Sequence, residues 1–198
     1  MIKITKYFLQ AIIIYFFFIF IKLFGLKLSR RFFSYFFNKI GSFIKSNQVI
    51  DENLNKFIGS YNEKKKKEIV SAMWSNYGKT FVEYLFLKKF RKTNSHITIK
   101  GEDILKKIIK KNKPVIFVSG HFANFELMSM ELTKRNLKLA TIYRPLNNIF
   151  INPFMEYVRR THICKNQIKK GIAGVKSAIN YLQNNFSVAV MIDQRVSE

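Results

Sequence analysis

The chain has 198 residues, carries 35 Lys+Arg against 12 Asp+Glu for a net charge of +23, and is 48 % hydrophobic with 21 Phe. That length holds one domain plus an attachment segment, and the charge calls for a polyanionic partner: an anionic membrane, an acidic protein or nucleic acid. The single cysteine, Cys164, excludes an internal disulfide and a Cys-rich zinc site, and His96, His121 and His162 are too scattered for a metal cluster.

From Tyr7 to Ile21 the sequence is uncharged and almost wholly apolar, and after Lys22 the run continues from Leu23 to Leu26. A bilayer-crossing helix needs about 20 such residues, which this segment reaches if Lys22 extends its ammonium to the headgroups. No small-residue cleavage site follows, but Lys27, Arg30 and Arg31 do. Residues 1–28 therefore read as an uncleaved N-terminal membrane anchor rather than a signal peptide. Cations are fewer before the anchor (Lys3, Lys6) than after it, which puts the following domain in the cytoplasm. Residues 30–45 mix aromatics with cations, as a helix at the membrane–water boundary does. Residues 49–62 read as a connection or short helix. The run of four lysines from Lys64 to Lys67 reads as a solvated helix start. Ile69, Met73, Tyr77, Phe81 and Leu85 then recur every four residues, predicting a long amphipathic helix to about Lys88. Together these make an interfacial and helical region over 29–95.

Residues 96–198 alternate between two periods. His96 to Gly101 predicts a short strand. Glu102 to Lys111 predicts a helix with acids first and lysines last, as its dipole favours. Val115 to Val118 predicts a buried strand, followed by a helix from Asn124 to about Lys134 and a second strand from Leu137 to Tyr143. Helices are expected from Asn152, with Pro153 in the first turn, to Arg160, and from Gly171 to Gln183. Ser187 to Ile192 predicts a last strand. The pattern implies an α/β fold, a mostly parallel sheet flanked by helices, preceded by the anchor helix. In such sheets functional groups gather beyond the carboxyl ends of the strands, and the strand ends carry His121, Arg144 and Asp193.

His121 and Glu126 lie five apart. On one continuous helix that spacing turns the chain by about 500°, so they would not share a face. They meet if His121 stands in the turn before the helix and Glu126 in its first turn, with Asn124 as a cap. Glu126 would then accept a hydrogen bond from one imidazole nitrogen and leave the other as a general base on a hydroxyl. No serine stands in a Gly-x-Ser-x-Gly setting, and Cys164 lies in a separate segment and reads as a packing residue. Direct transfer without a covalent enzyme intermediate is the simpler chemistry.

The string Ser119-Gly-His-Phe-Ala-Asn-Phe-Glu126 resembles the His-x-x-x-x-Asp/Glu motif of the bacterial lipid A biosynthesis acyltransferases. These are the lauroyl/myristoyl transferases of the lysophospholipid-acyltransferase superfamily. Trp74-Ser-Asn-Tyr-Gly78 with Glu83, Tyr143-Arg-Pro145 with Asn152-Pro153, and Asp193-Gln194 are similar to further features of that family. The family commonly has Gly and Trp where this chain has Ala123 and Phe125. Its members continue beyond the Asp-Gln motif, so the α/β core is expected to be incomplete at the C-terminus.

The resemblance implies transfer of an acyl chain from acyl carrier protein to a hydroxyl of a Kdo-bearing lipid A precursor, at the cytoplasmic side of a bacterial inner membrane. It implies His121 and Glu126 as catalytic residues. Arg144, Asn124, Tyr143 and Asp193 form the expected substrate-binding set, Asp193 either lining the pocket or capping its strand. Acyl carrier protein is acidic, so a basic surface would steer it. Inner-membrane lipids are the other expected partner; no cofactor, metal or nucleic acid is expected, since no nucleic-acid-binding module is recognisable. Two alternatives remain open: another lipid or glycolipid acceptor, and an inactive truncated membrane-binding relic.

Overall fold

The computed structural model describes residues 2–44 and 47–193; Lys45 of the boundary segment and Gln194 of the Asp-Gln pair lie outside them. The chain divides into two compact units, one drawn from Met1–Ile14 with Leu87–Glu198 and the other from Tyr15–Phe86.

Helix α1 (Ile2–Ile44) gives its first turns to the α/β unit and from Tyr15 on builds the helical unit; it is broken at Gly25, where φ is 72° and ψ is 177°. Only glycine takes that backbone without steric cost, and the chain folds back there. Phe17 meets Phe36 with ring centroids 5.7 Å apart, whereas 19 residues of straight helix would separate them by about 28 Å. Phe20 packs on Phe32 at 5.2 Å, and Ser29 Oγ donates to the Ile21 carbonyl at 3.4 Å. Lys22, expected to reach the headgroups, donates instead to the Leu85 carbonyl at 2.7 Å. Helix α2 (Asn47–Ile58) follows, then α3 (Glu63–Glu83), whose cap Asn62 accepts from the Lys65 amide. A single turn of 3-10 helix, Tyr84–Phe86, ends the unit.

Helix α3 runs antiparallel to the second arm of α1. Arg30 pairs with Glu83 at 3.2 Å, Ser34 with Ser75 at 2.6 Å, and Gly41 lies against the Trp74 ring. A side chain at Gly78 would overlap the Phe33 carbonyl. Trp74 and Gly78, picked out by the sequence, thus lie on the face of α3 on which the two helices close, and Glu83 at the end of α3 adds the pair with Arg30.

The α/β unit contains α4 (Leu87–Lys92), α5 (Glu102–Lys111), α6 (Glu126–Lys134), α7 (Asn152–His162) and α8 (Ile172–Gln183). Its four strands, β1 (Ile116–Ser119), β2 (Leu139–Tyr143), β3 (Asn166–Lys169) and β4 (Ser187–Met191), form a parallel sheet in the order β1-β4-β2-β3. Ala140, Ile168 and Val188 pack with Ala178 of α8 on one face. Side chains alternate along a strand, so Thr141 and Ala189 point to the opposite face, where Glu126 and Ser129 of α6 share a pocket with them. The parallel α/β sheet with flanking helices and a long apolar N-terminal helix agrees with the fold expected from the sequence.

Two elements differ from expectation. The strand anticipated from His96 to Gly101 is a loop. The His96 ring stacks on Phe90 at 4.6 Å, and its Nε2 lies 3.6 Å from Glu131. Burial against α4 and α6 therefore overrides the alternating pattern. Conversely, β3 forms at the sheet edge from a polar segment, with Ile168 its buried residue.

Candidate active site

In a parallel sheet all strands present their carboxyl ends to one edge. Ser119 of β1 is in register with Met191 of β4, so two residues further along each chain His121 and Asp193 arrive side by side. Asp193 grips the histidine twice: its Oδ2 accepts from the His121 amide at 2.8 Å and its Oδ1 lies 2.7 Å from Nδ1. Burial would raise the Asp193 carboxyl, but the hydrogen bonds from the His121 amide and ring outweigh it and hold the group below its ordinary value. Phe125 closes edge-on against the imidazole at 4.4 Å.

The turn joining β1 to α6 is tight. A Cβ on Gly120 would stand 2.8 Å from the Phe122 ring and 3.3 Å from Asp193 Cγ. Ala123 is held in the left-handed region at φ 45°. Helix α6 begins at Glu126, and no side chain caps it; Asn124, the expected cap, is buried and its carbonyl accepts from the Leu127 amide.

Glu126 is buried, and the structure pairs it with Arg159 of α7, whose Nε donates to Oε1 at 2.7 Å. The carboxylate on the imidazole is Asp193. The Arg159 guanidinium also lies over the Tyr143 ring, 5.8 Å from its centroid. Tyr143 is buried, and its hydroxyl donates to Glu156 at 2.9 Å. Burial, then the Glu156 contact, pushes the phenol up, while hydrogen bonds from Asn152 and Tyr143 pull the Glu156 carboxyl down.

These groups surround a pocket of about 270 Å³. His121, Phe125 and Glu126 line one side, and Tyr143, Arg144 and Lys170 another; Thr141, Ser129 and Arg159 also face it. Asn124 is not among the lining residues. Arg144 and Lys170 are exposed and follow paired positions, since Tyr143 of β2 is in register with Lys169 of β3. Two site residues escaped the sequence reading. Arg159 sits within a helix and announces itself only once buried Glu126 needs a counter-charge. Lys170 would have been found as a strand-end cation had β3 been recognised.

Cys164 stands apart. It is buried, its thiol donates to the Leu139 carbonyl at 3.1 Å, and burial pushes that thiol up, which makes it a poor nucleophile. The site is therefore a partly exposed imidazole, polarised from one side by a carboxylate, beside a pocket with two cations at its rim. Such a group can take a proton from a hydroxyl and return it to a leaving group.

A family model described as bacterial lipid A biosynthesis acyltransferase matches the chain over residues 1–198. No curated protein matches it significantly.

Proposed function

The chain belongs to the bacterial lipid A biosynthesis acyltransferase family, and from that premise we propose that it moves a fatty acyl chain from the thioester of acyl carrier protein to a hydroxyl of a Kdo-bearing lipid A precursor. The observation that carries the reading is the His121–Asp193 pair, at 2.7 Å, facing a pocket at the carboxyl edge of a parallel sheet. The Asp193 carboxylate accepts the proton on Nδ1, which leaves the Nε2 lone pair for the acceptor hydroxyl. The acceptor oxygen attacks the thioester carbonyl carbon as its proton passes to Nε2. The new C–O bond forms, the tetrahedral intermediate collapses, and the C–S bond breaks. The departing sulfur takes the proton back from the imidazolium, so His121 ends neutral, with an ester and a free carrier thiol as products.

Arg144 serves the acceptor phosphate or the oxyanion, since a guanidinium suits both, and Lys170 adds a second positive charge beside it. Asp193 is the group that orients His121. Glu126, neutralised by Arg159, keeps the first turn of α6 fixed beneath the imidazole. Tyr143 acts through packing, because its hydroxyl is committed to Glu156. The excess of 35 Lys+Arg over 12 Asp+Glu would draw in an acidic carrier protein. The long apolar N-terminal helix supports a place at the inner membrane, where the lipid acceptor lies, with the catalytic unit on its cytoplasmic side. His121→Ala, assayed with acyl carrier protein thioester and the lipid precursor, is expected to lose transfer by about 10²–10⁴-fold. Near-normal transfer would refute the mechanism.

A further inference from the structure

We propose that α1 associates with the membrane from one side only, its first arm lying along the surface of an anionic leaflet rather than crossing the bilayer. The inference rests on the membrane-bound reading above and specifies how the binding occurs.

The fold-back at Gly25 rules out a single spanning rod, so each arm must be judged alone. The second arm, 26–44, is packed along α3 through Arg30–Glu83, Ser34–Ser75 and the close approach at Gly78, and so is not a lipid-encircled span. The first arm, 2–24, would be about 34 Å long and could in principle cross a hydrocarbon core of about 30 Å. Within the α/β unit, however, Asn148 Nδ2 donates to the Tyr7 carbonyl at 2.8 Å and Phe8 packs on Phe150 at 5.5 Å. Within the helical unit, Phe18 packs on Phe81 at 5.6 Å and Lys22 is bonded to the Leu85 carbonyl. Leu85 is only two residues from Leu87, where the α/β unit resumes, so an arm crossing the bilayer between Tyr7 and Lys22 would have to break the contacts at one of its ends.

The other face of the arm is uncovered. Leu9, Ile12, Ile13, Phe16, Ile19 and Leu23 are each at least half exposed. Their spacing puts them on one stripe of the helix, opposite buried Ala11, Phe18 and Ile21. The first 50 residues contain no Asp or Glu but eight Lys and Arg. Lys27 and Arg31 stand just beyond the fold-back, where a deeply inserted tip could not hold them. A one-sided apolar stripe framed by cations, with no acid, suits an anionic lipid surface, into which such a helix sinks about 5–10 Å.

The test uses the full chain in inverted and right-side-out membrane vesicles, with a membrane-impermeant maleimide. A cysteine at Ile4 and, in a second variant, one at Lys113 of the α/β unit are expected to label from the same side; buried Cys164 stays silent. Labelling from opposite sides overturns the inference while leaving membrane binding intact. In parallel, the full chain is sedimented with vesicles of equal parts phosphatidylethanolamine and phosphatidylglycerol. Phe16→Glu with Leu23→Glu is expected to cut partitioning at least tenfold with unchanged helical circular dichroism, and unchanged partitioning overturns the stripe. If the unsubstituted chain does not partition at all, the membrane-bound reading fails together with this one.

Discussion

His121 and Asp193 are joined by two hydrogen bonds, one to the ring at 2.7 Å and one to the backbone amide at 2.8 Å. The carboxylate therefore fixes the loop as well as the imidazole. It can do so because β1 and β4 are adjacent and parallel in register. The two contacts also dictate what a near-isosteric change would do.

Asp193→Asn offers one carbonyl oxygen and one amide nitrogen in place of two acceptors. The oxygen must accept from the His121 amide N–H, which turns the NH₂ group toward Nδ1. The imidazole then has to carry its proton on Nε2, the nitrogen needed as base. Transfer is expected to fall by roughly 10²–10⁴-fold, mostly in kcat, with KM for the lipid acceptor little changed. Steady-state kinetics on the variant checks this; a loss confined to KM would assign Asp193 to binding instead.

Glu126 and Arg159 make a buried pair, their side chains 9 % and 11 % exposed. Removing one member leaves the other charged in a poorly solvated site, at a cost of about 3–5 kcal/mol. Arg159→Met should be strongly destabilising on that account. Adding Glu126→Gln should recover part of the loss, because the stranded carboxylate is gone. Denaturant midpoints of the parent, both single variants and the double variant measure the coupling. Additive losses would show that the pair does not act as a unit.

How much of this could be read from the chain follows from what each element depends on. Strands β1, β2 and β4 were legible because they are apolar runs, and α5 because its acids and lysines mark its ends. Strand β3 was not, since an edge strand with Ile168 as its buried residue carries little periodic signal. The loop at His96 was misread because alternation says nothing about which ring will stack on Phe90. Gly25 gave no warning, as the residues on both sides continue the same helical, apolar pattern. At the site, His121, Arg144 and Asp193 were found as strand ends. Which carboxylate meets the imidazole depends on strand order, and order is set by packing between segments far apart in sequence.

Ala123 occupies a left-handed conformation, φ 45°, in the turn that carries His121. An L-residue with a Cβ is strained there by roughly 1–2 kcal/mol. Ala123→Gly removes the strain but adds freedom to the unfolded chain, an opposing term of about 0.5–1 kcal/mol. The net expectation is a gain of up to about 1 kcal/mol, or a Tm increase of roughly 2–4 °C for a chain of this size. Thermal unfolding followed by circular dichroism decides it, and a lower Tm would show that the alanine methyl makes a contact worth more than the strain.

Glu131 pairs with Lys134 at 2.8 Å and Arg135 at 2.9 Å at the end of α6. Burial raises its carboxyl, but the hydrogen bonds from Lys134 and Arg135 outweigh that and bring it below the ordinary value. A group with a depressed folded pKa contributes stability that is complete above its unfolded pKa, about 4.3 for glutamate. That contribution is lost as pH falls through the lower folded value, where the native state must also take up the proton. Glu131→Gln removes the titration. The parent should therefore be the more stable protein at pH 7, and its advantage should shrink steadily once the pH drops below about 4. Urea midpoints of both proteins between neutral and acid pH give the comparison. A difference that stays constant across the range would mean that the Lys134 and Arg135 contacts do not set the Glu131 charge.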